Sequence, residues 1–170
     1  NVAGLPVAKL DMWLVINVTC TTVSKTDKNR QPEWLDDVSF EYEVLVPGFK
    51  GPVYLSGTTT YWAIPLDGKE HHSVGFIHPR FLQRYAPELK STSPSAAKDT
   101  YIRIKVTMNQ AIIGGAVNPE RKAMEVANAF KKAATDPNIL RVNDSVYGID
   151  KTPWRDLNYD YYELIKPVRR

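Results

Sequence analysis

The chain has 170 residues, 43% of them apolar and 24% charged, which suits a single domain over residues 1–170 with a real core and excludes a chain that is disordered throughout. The net charge is +3, and Lys and Arg gather only at Lys131-Lys132 and Arg169-Arg170, so the basic stripe of a nucleic-acid binder is missing. No apolar run is long enough to span a bilayer as a helix, so no transmembrane segment is expected.

Residues 1–9, with Gly4 and Pro6, read as a leader. From Leu10 to Cys20 every even position is apolar: Leu10, Met12, Leu14, Ile16, Val18 and Cys20. A period of two marks a strand with one buried and one wet face. Ser24–Asp37 is polar and contains Pro32, hence a loop, with Trp34 and Leu35 folding back over a sheet edge. Val38–Val46 alternates again, stopped by Pro47-Gly48, and Val53–Ile64 is a third strand rich in Thr and aromatics. Asp67-Gly68 reads as a hairpin turn, because Asp-Gly tolerates positive φ, with His71–His78 as the returning strand.

Pro79–Tyr85 is expected as a short helix opened by Pro79 and ended by Pro87. Lys90–Asp99 is a Ser-rich loop, and Tyr101–Met108 is the third segment of strict alternation. Gln110–Val117 is apolar but interrupted by Gly114-Gly115, which marks a bulged or bent strand. Pro119–Ala134 is the one well-formed helix: Asn118 caps it, Pro119 is its first residue, and Ala123, Val126, Ala127, Phe130 and Ala134 form a shallow apolar stripe. Val142–Ile149 holds a short strand, and Tyr159–Ile165 is the last one. Three half-buried strands and one helix argue for a mainly β fold with one or two helices. The expected architecture is an antiparallel β-sandwich with the Pro119–Ala134 helix packed on or beside it. If the second and fifth strands are neighbours, Glu41 and Glu43 face Arg103 and Lys105 across the sheet.

Catalytic signatures are sparse. His71, His72 and His78 lie close in sequence beside Glu70, but His72 and His78 stand about 20 Å apart along a strand and His71 points to the other face, so no metal site is expected and the histidines are assigned to the surface or a hairpin cap. No Gly-x-Ser-x-Gly elbow or P-loop occurs, and no cofactor is expected. Asp36-Asp37 and Asp156 with Asp160 are carboxylate pairs whose separation a sequence does not give. Cys20 is the only cysteine and falls on the buried parity of the first strand, where a small core hydrophobe is expected rather than a reactive thiol. Asn143-Asp144-Ser145 matches a glycosylation triplet that has meaning only in a eukaryotic secretory setting.

Aromatics are the better lead, with 4 Trp and 9 Tyr. Flat rings offer apolar area to sugars and proteins at low entropic cost. Trp13 sits on the wet face of the first strand beside Asp11 and Val15, under the helix, under the Trp34 loop or in an interface. Tyr54 and Trp62 share a face, and Tyr159, Tyr161 and Tyr162 cluster near the end. Trp13, Val15, Trp62, Tyr159, Tyr161 and Tyr162 are therefore the candidate interaction surface.

The segments WLVINVTC, FEYEVLV, YIRIKVTM and NPERKAMEVANAF together give the chain a texture that resembles immunoglobulin-like sandwich proteins associated with bacterial pili, among them a secreted protein of an Akkermansia pilus locus. The resemblance supplies shape and no active site. It departs from type IV pilins, because the long N-terminal apolar helix is missing, and from bridged immunoglobulin domains, because one cysteine forms no internal bridge. It implies a non-enzymatic, pilus-associated or cell-surface structural or adhesion component whose partners are other surface or pilus proteins. A start at Asn1, the Tyr and Thr content and the all-β pattern point to an extracytoplasmic location with an N-terminal segment removed. A carbohydrate-binding module with glycan partners and an unrecognised hydrolase are the alternatives. Exposed coplanar aromatics would favour the first of these, and two carboxyls facing each other in a cleft the second.

The first and last strands are the expected contact edges. Val15→Pro should weaken assembly without abolishing folding, read as oligomer mass and thermal unfolding of the same sample. A variant that unfolds outright would place the first strand in the interior of its sheet.

Overall fold

In chain order the elements are β1 (Leu14–Thr21), β2 (Trp34–Val46), β3 (Val53–Pro65), β4 (Glu70–Ile77), α1 (Pro79–Tyr85), β5 (Tyr101–Met108), β6 (Ala111–Asn118), α2 (Ala123–Thr135), β7 (Leu140–Val142) and β8 (Val146–Tyr147). They come from a computed structural model that describes residues 13–23, 34–48, 51–87, 100–156 and 163–166. The strands make two sheets, a three-stranded one in the order β1-β4-β8 and a five-stranded one in the order β6-β5-β2-β3-β7. The fold is a mainly β sandwich with a docked helix. All pairings between named strands are antiparallel except β3 with β7, which run parallel over Val53–Leu55.

Alternation explains which residues meet between the sheets. The even residues of β2 from Val38 to Val46 and the odd residues of β3 from Val53 to Tyr61 point inward, joined by Ile16 and Ile77 from the smaller sheet. Phe40 and Tyr61 meet edge to face at 5.5 Å. The phenol oxygens of Tyr42 and Tyr61 both reach the Ser73 hydroxyl, at 2.5 and 2.7 Å. One hydroxyl on β4 thus ties two strands of the opposite sheet, which satisfies polar groups that burial would otherwise penalise. Val146 of β8 crosses directly over β3, and that crossing depends on Gly57: a Cβ there would lie 2.0 Å from the Val146 carbonyl oxygen.

Each sheet is also covered on its outer face. Val126, Phe130 and Ala133 of α2 pack on Leu45, Tyr54 and Tyr101 of the larger sheet. Glu43 lies beneath this helix and is buried, although its polar parity on β2 suggested an exposed position. It faces Arg103 in the β2–β5 register, with Glu41 opposite Lys105. Arg103 donates two hydrogen bonds to Glu43, at 2.5 and 2.9 Å, and Tyr54 donates a third at 2.7 Å. Lys105 turns to Glu43 as well, at 3.3 Å. On the outer face of the smaller sheet, Val74 and Phe76 are covered by Ile149, Trp154 and Trp13.

Several elements differ from the sequence reading. The strand expected at Val38 begins at Trp34, because Trp34–Asp36 pairs with Ala63–Pro65. Asp37 adopts φ 53°, and the alternation slips there so that Leu35 and Ile64 return to the core while Trp34 stays exposed. The Asp67-Gly68 turn does not close a hairpin, since β3 and β4 belong to different sheets and the turn carries the chain between layers. Gly68 does take positive φ, and the Asp67 carboxylate accepts from the Lys69 amide at 2.9 Å. The long helix starts at Ala123, after a 3-10 turn at Glu120–Lys122, because Asn118 is held in β6 opposite Ile102. Its buried stripe is Val126, Phe130 and Ala133 with Ala129 beside them, and Ala123, Ala127 and Ala134 are exposed. The short strand expected within Val142–Ile149 is β8, and β7, which ends at Val142, precedes it in the other sheet. Leu10, Met12 and most of the expected last strand lie outside the described residues. Ile165 of that strand bridges Tyr61.

Two tests follow from this packing. Burial alone would push the Glu43 carboxyl up, but the hydrogen bonds from Arg103 and Tyr54 and the charges of Arg103 and Lys105 outweigh it and hold it below the ordinary glutamate range. A depressed folded pKa contributes stability in full above the unfolded value of about 4.3 and loses it as pH falls through the folded value. Glu43→Gln should therefore lower stability by about 1–3 kcal/mol at neutral pH, with the gap to wild type narrowing below about pH 4. Urea midpoints across that range check it, and a gap independent of pH would mean that the charge is not the source. Gly57→Ala should cost at least the upper part of the roughly 1–3 kcal/mol typical of overpacking, because the clash is with backbone; a urea midpoint equal to wild type would show that β8 can move aside freely.

Candidate functional site

A five-stranded sheet is wider than a three-stranded one, and the excess width leaves one flank open. The order β1-β4-β8 ends at β1, and the order β6-β5-β2-β3-β7 ends at β6. Each of these strands has one hydrogen-bonded neighbour among the described residues, β4 for β1 and β5 for β6. Between them runs a cleft of about 590 Å³. Its floor is the inner face of β2 and β5, with Val38, Phe40, Ile104 and Val106, and its walls are Val18–Val23 on one side and Ile113–Ala116 on the other. Among the described residues no charged one lines it. The floor is core in every other respect: Val38 and Phe40 are each 1% exposed and Ile104 is 4% exposed.

The far wall is shaped by its sequence. The β5–β6 turn at Asn109-Gln110 uses positive φ at both residues, as a tight hairpin turn requires. The register then shifts between Val106 and Thr107, which leaves Ile113 as an extra residue in β6. Ile112 and Ile113 are exposed, at 69% and 46%. Gly114 and Gly115 follow with no side chains, and a Cβ on Gly115 would lie 2.8 Å from the Ile104 carbonyl oxygen, so that glycine serves the close approach of β5 itself.

At one end of the cleft, near Cys20 and Thr22, lies a buried polar cluster. His71 is 6% exposed, contrary to the surface position expected for the histidines, because its parity is that of Ser73, Gly75 and Ile77 and points inward. Its Nδ1 lies 2.8 Å from Glu163 Oε1 and its Nε2 lies 3.0 Å from Asp67 Oδ1. With a carboxylate on each ring nitrogen, His71 joins the turn after β3 to the C-terminal segment. The Lys69 amide first, and His71 next, hold the Asp67 carboxyl below its ordinary range. The Thr22 hydroxyl donates to the Pro65 carbonyl at 2.9 Å and lies 3.5 Å from His71 Nε2. Burial, with the nearby Glu163 charge, pushes the Cys20 thiol up, which suits the structural role expected for it.

The structure disperses the sequence candidates. Trp13 is half-buried, 4.6 Å from the His78 ring, 5.3 Å from Trp154 and 6.2 Å from Phe76. Neither α2 nor the Trp34 region covers it. His78 itself caps α1, accepting from the Arg80 amide at 3.0 Å. Val15 is exposed at the open edge strand β1. Trp62 is 41% exposed, but the Lys166 ammonium sits 4.7 Å over its ring and also pairs with Asp37. Tyr159, Tyr161 and Tyr162 lie outside the described residues. The cleft is a feature that residue types did not announce, since Val106, Met108 and Ile113 look like ordinary core. The available signal was Gly114-Gly115 in an apolar strand.

Among solved structures, a crystal structure of a protein from Akkermansia muciniphila matches this chain with a TM-score of 0.62 and 14% identity, covering 92% of this chain and 96% of the other. That likeness is one of fold. No curated protein matches the sequence. No helix among the described residues is long and apolar enough to cross a membrane. A protein-family model matches residues 6–169, nearly the whole chain, and the chain belongs to the family that this model describes.

Proposed function

We propose that this protein is an extracytoplasmic, pilus-associated surface component that works through protein contacts, with the open flank of its sandwich as the contact site. The observation that carries this reading is the uncharged cleft between two strand edges. An unpaired strand edge is a template for another chain, and a sandwich core left open on one side is costly unless something covers it. The family membership, the fold shared with an Akkermansia protein and the sequence resemblance to pilus-associated sandwiches support the same reading. The His71 cluster holds segments together and offers no reacting group, which favours a contact protein over a hydrolase. The pairing of Lys166 with Trp62 favours it over a glycan-binding platform.

Location tests this directly. An antibody against the folded chain should label intact cells, and the chain should be recovered with appendages sheared from their surface. Recovery in the cytosolic fraction alone, with no surface labelling, would overturn the reading.

A further inference from the structure

We propose that His71 is a pH-operated latch for the C-terminal segment: its doubly protonated ring holds Glu163–Lys166 on the edge of β3, and loss of one ring proton loosens it. The inference goes beyond the contact reading above and does not rest on it.

The segment is a short strap. Ile165 bridges Tyr61 and packs against both the core between the sheets and the outer cluster of Val74, Phe76 and Ile149. Two backbone hydrogen bonds tie it to β3 among the described residues: the Trp62 amide donates to the Leu164 carbonyl at 2.9 Å, and the Lys166 amide to the Thr60 carbonyl at 2.7 Å. Charge fixes each end. Lys166 pairs with Asp37 and covers the Trp62 ring, and Glu163 lies 2.8 Å from His71 Nδ1. A segment with so few ladder bonds opens locally at low cost, so one strong contact at its end governs how often it does so.

Protonation decides that contact. A carboxylate only accepts, and His71 has Glu163 at Nδ1 and Asp67 at Nε2. Both contacts are hydrogen bonds only when both ring nitrogens carry a proton. The neutral ring keeps one of them. Nε2 has two acceptors in reach, Asp67 Oδ1 at 3.0 Å and the Thr22 oxygen at 3.5 Å, whose own proton goes to the Pro65 carbonyl. Nδ1 has Glu163 alone among the described residues. The remaining proton therefore stays on Nε2, and a bare lone pair on Nδ1 meets the Glu163 carboxylate. Asp67 is fixed in its turn by the Lys69 amide, so the strap is the part that yields.

No other group facing this contact, among the described residues, supplies the same switch. Lys69 Nζ lies 3.7 Å from Asp67 Oδ2, Glu70 is exposed, and His72 meets Thr19 on the outer face. Cys20, opposite His71 in the β1–β4 register, stays a neutral thiol because burial and the Glu163 charge push it up. Imidazole is the side chain that ordinarily changes charge between about pH 5 and 8. The tie is complete on the acid side of that range and is lost as pH rises through it.

Amide exchange of the full chain, read by NMR as protection factors corrected for the intrinsic effect of pH, tests the latch. From about pH 5.5 to about pH 8, protection of the Trp62 and Lys166 amides should fall about 10- to 100-fold, the worth of one hydrogen bond to a charged group, while amides of β2 and β5 keep theirs. In Glu163→Gln the side-chain amide accepts from a protonated Nδ1 and donates to a bare one, so protection of the strap should be nearly equal at both pH values. Long-range proton–nitrogen spectra of the neutral His71 ring should show the proton on Nε2. Strap protection that does not change with pH would overturn the proposal, as would a fall shared equally by β2 and β5, which reports loosening of the whole fold. A proton on Nδ1 of the neutral ring, or wild-type pH dependence in the E163Q chain, would overturn it too. The wild-type measurements decide the matter even where the variant does not fold. None of them depends on where the protein is found in the cell, so the latch and the pilus-associated reading fail separately.

Discussion

Everything distinctive about this fold depends on a mismatch of widths. Strands in a sheet lie about 4.8 Å apart, so three strands cover little more than half of five. The smaller sheet is held over β2 and β3, where Ser73 bonds Tyr42 and Tyr61 and where Val146 crosses Gly57. Given that anchor, no strand among the described residues lies over the inner faces of β5 and β6. The large sheet is closed on its other side by α2, whose Phe130 also carries the Arg103 guanidinium 4.4 Å over its ring. The cleft is thus what remains when the polar contacts in the core fix where the smaller sheet sits.

The same placement explains why charge is buried at Glu43 and absent from the cleft. Glu43 points outward from the sandwich, and under α2 it gains Arg103, Lys105 and Tyr54 as partners. A carboxylate with several donors tolerates burial, whereas one facing the cleft floor would lie among Val38, Phe40, Ile104 and Val106. Arg103 and Lys105 alternate with Ile104 and Val106 on β5, so a single strand serves a polar network on one face and an uncharged floor on the other. Period two makes both possible at once.

Much of this was legible in the sequence because alternation is a strong local signal. Val38–Val46 and Tyr101–Met108 form strands over the expected residues, and the register places Glu43 opposite Arg103 as their parity suggested. What sequence could not convey was which strands share a sheet. Asp67-Gly68 is a sound turn signal, and Gly68 does take positive φ, but a turn residue says nothing about whether the next strand pairs back or crosses to another layer. The start of α2 was misplaced for a related reason: Asn118 and Pro119 are good local helix openers, yet pairing with Ile102 commits Asn118 to β6. His71 was read as a surface residue by its type, when its shared parity with Ser73 and Ile77 already marked it as inward.

The candidate site was the least legible part, and the cause is physical. A binding cleft in an active enzyme is marked by residues that a core would not choose, such as paired acids or a displaced histidine. This cleft is made of residues that a core does choose, and its floor is as buried as the core itself. Valines and isoleucines that floor a cleft have the same sequence signature as those in the rest of a core. The only local departure is glycine in β6, where Gly114 and Gly115 give up side-chain packing and strand propensity together. At Gly115 the loss is repaid by the close approach of β5, whose Ile104 carbonyl oxygen would lie 2.8 Å from a Cβ there. The aromatic residues, which drew attention first, proved to be occupied elsewhere: Trp13 seals an outer face and Trp62 holds Lys166. In a sandwich with unequal sheets, the contact surface follows from counting strands on each side, and residue type enters only afterwards, to say what kind of chain can lie there.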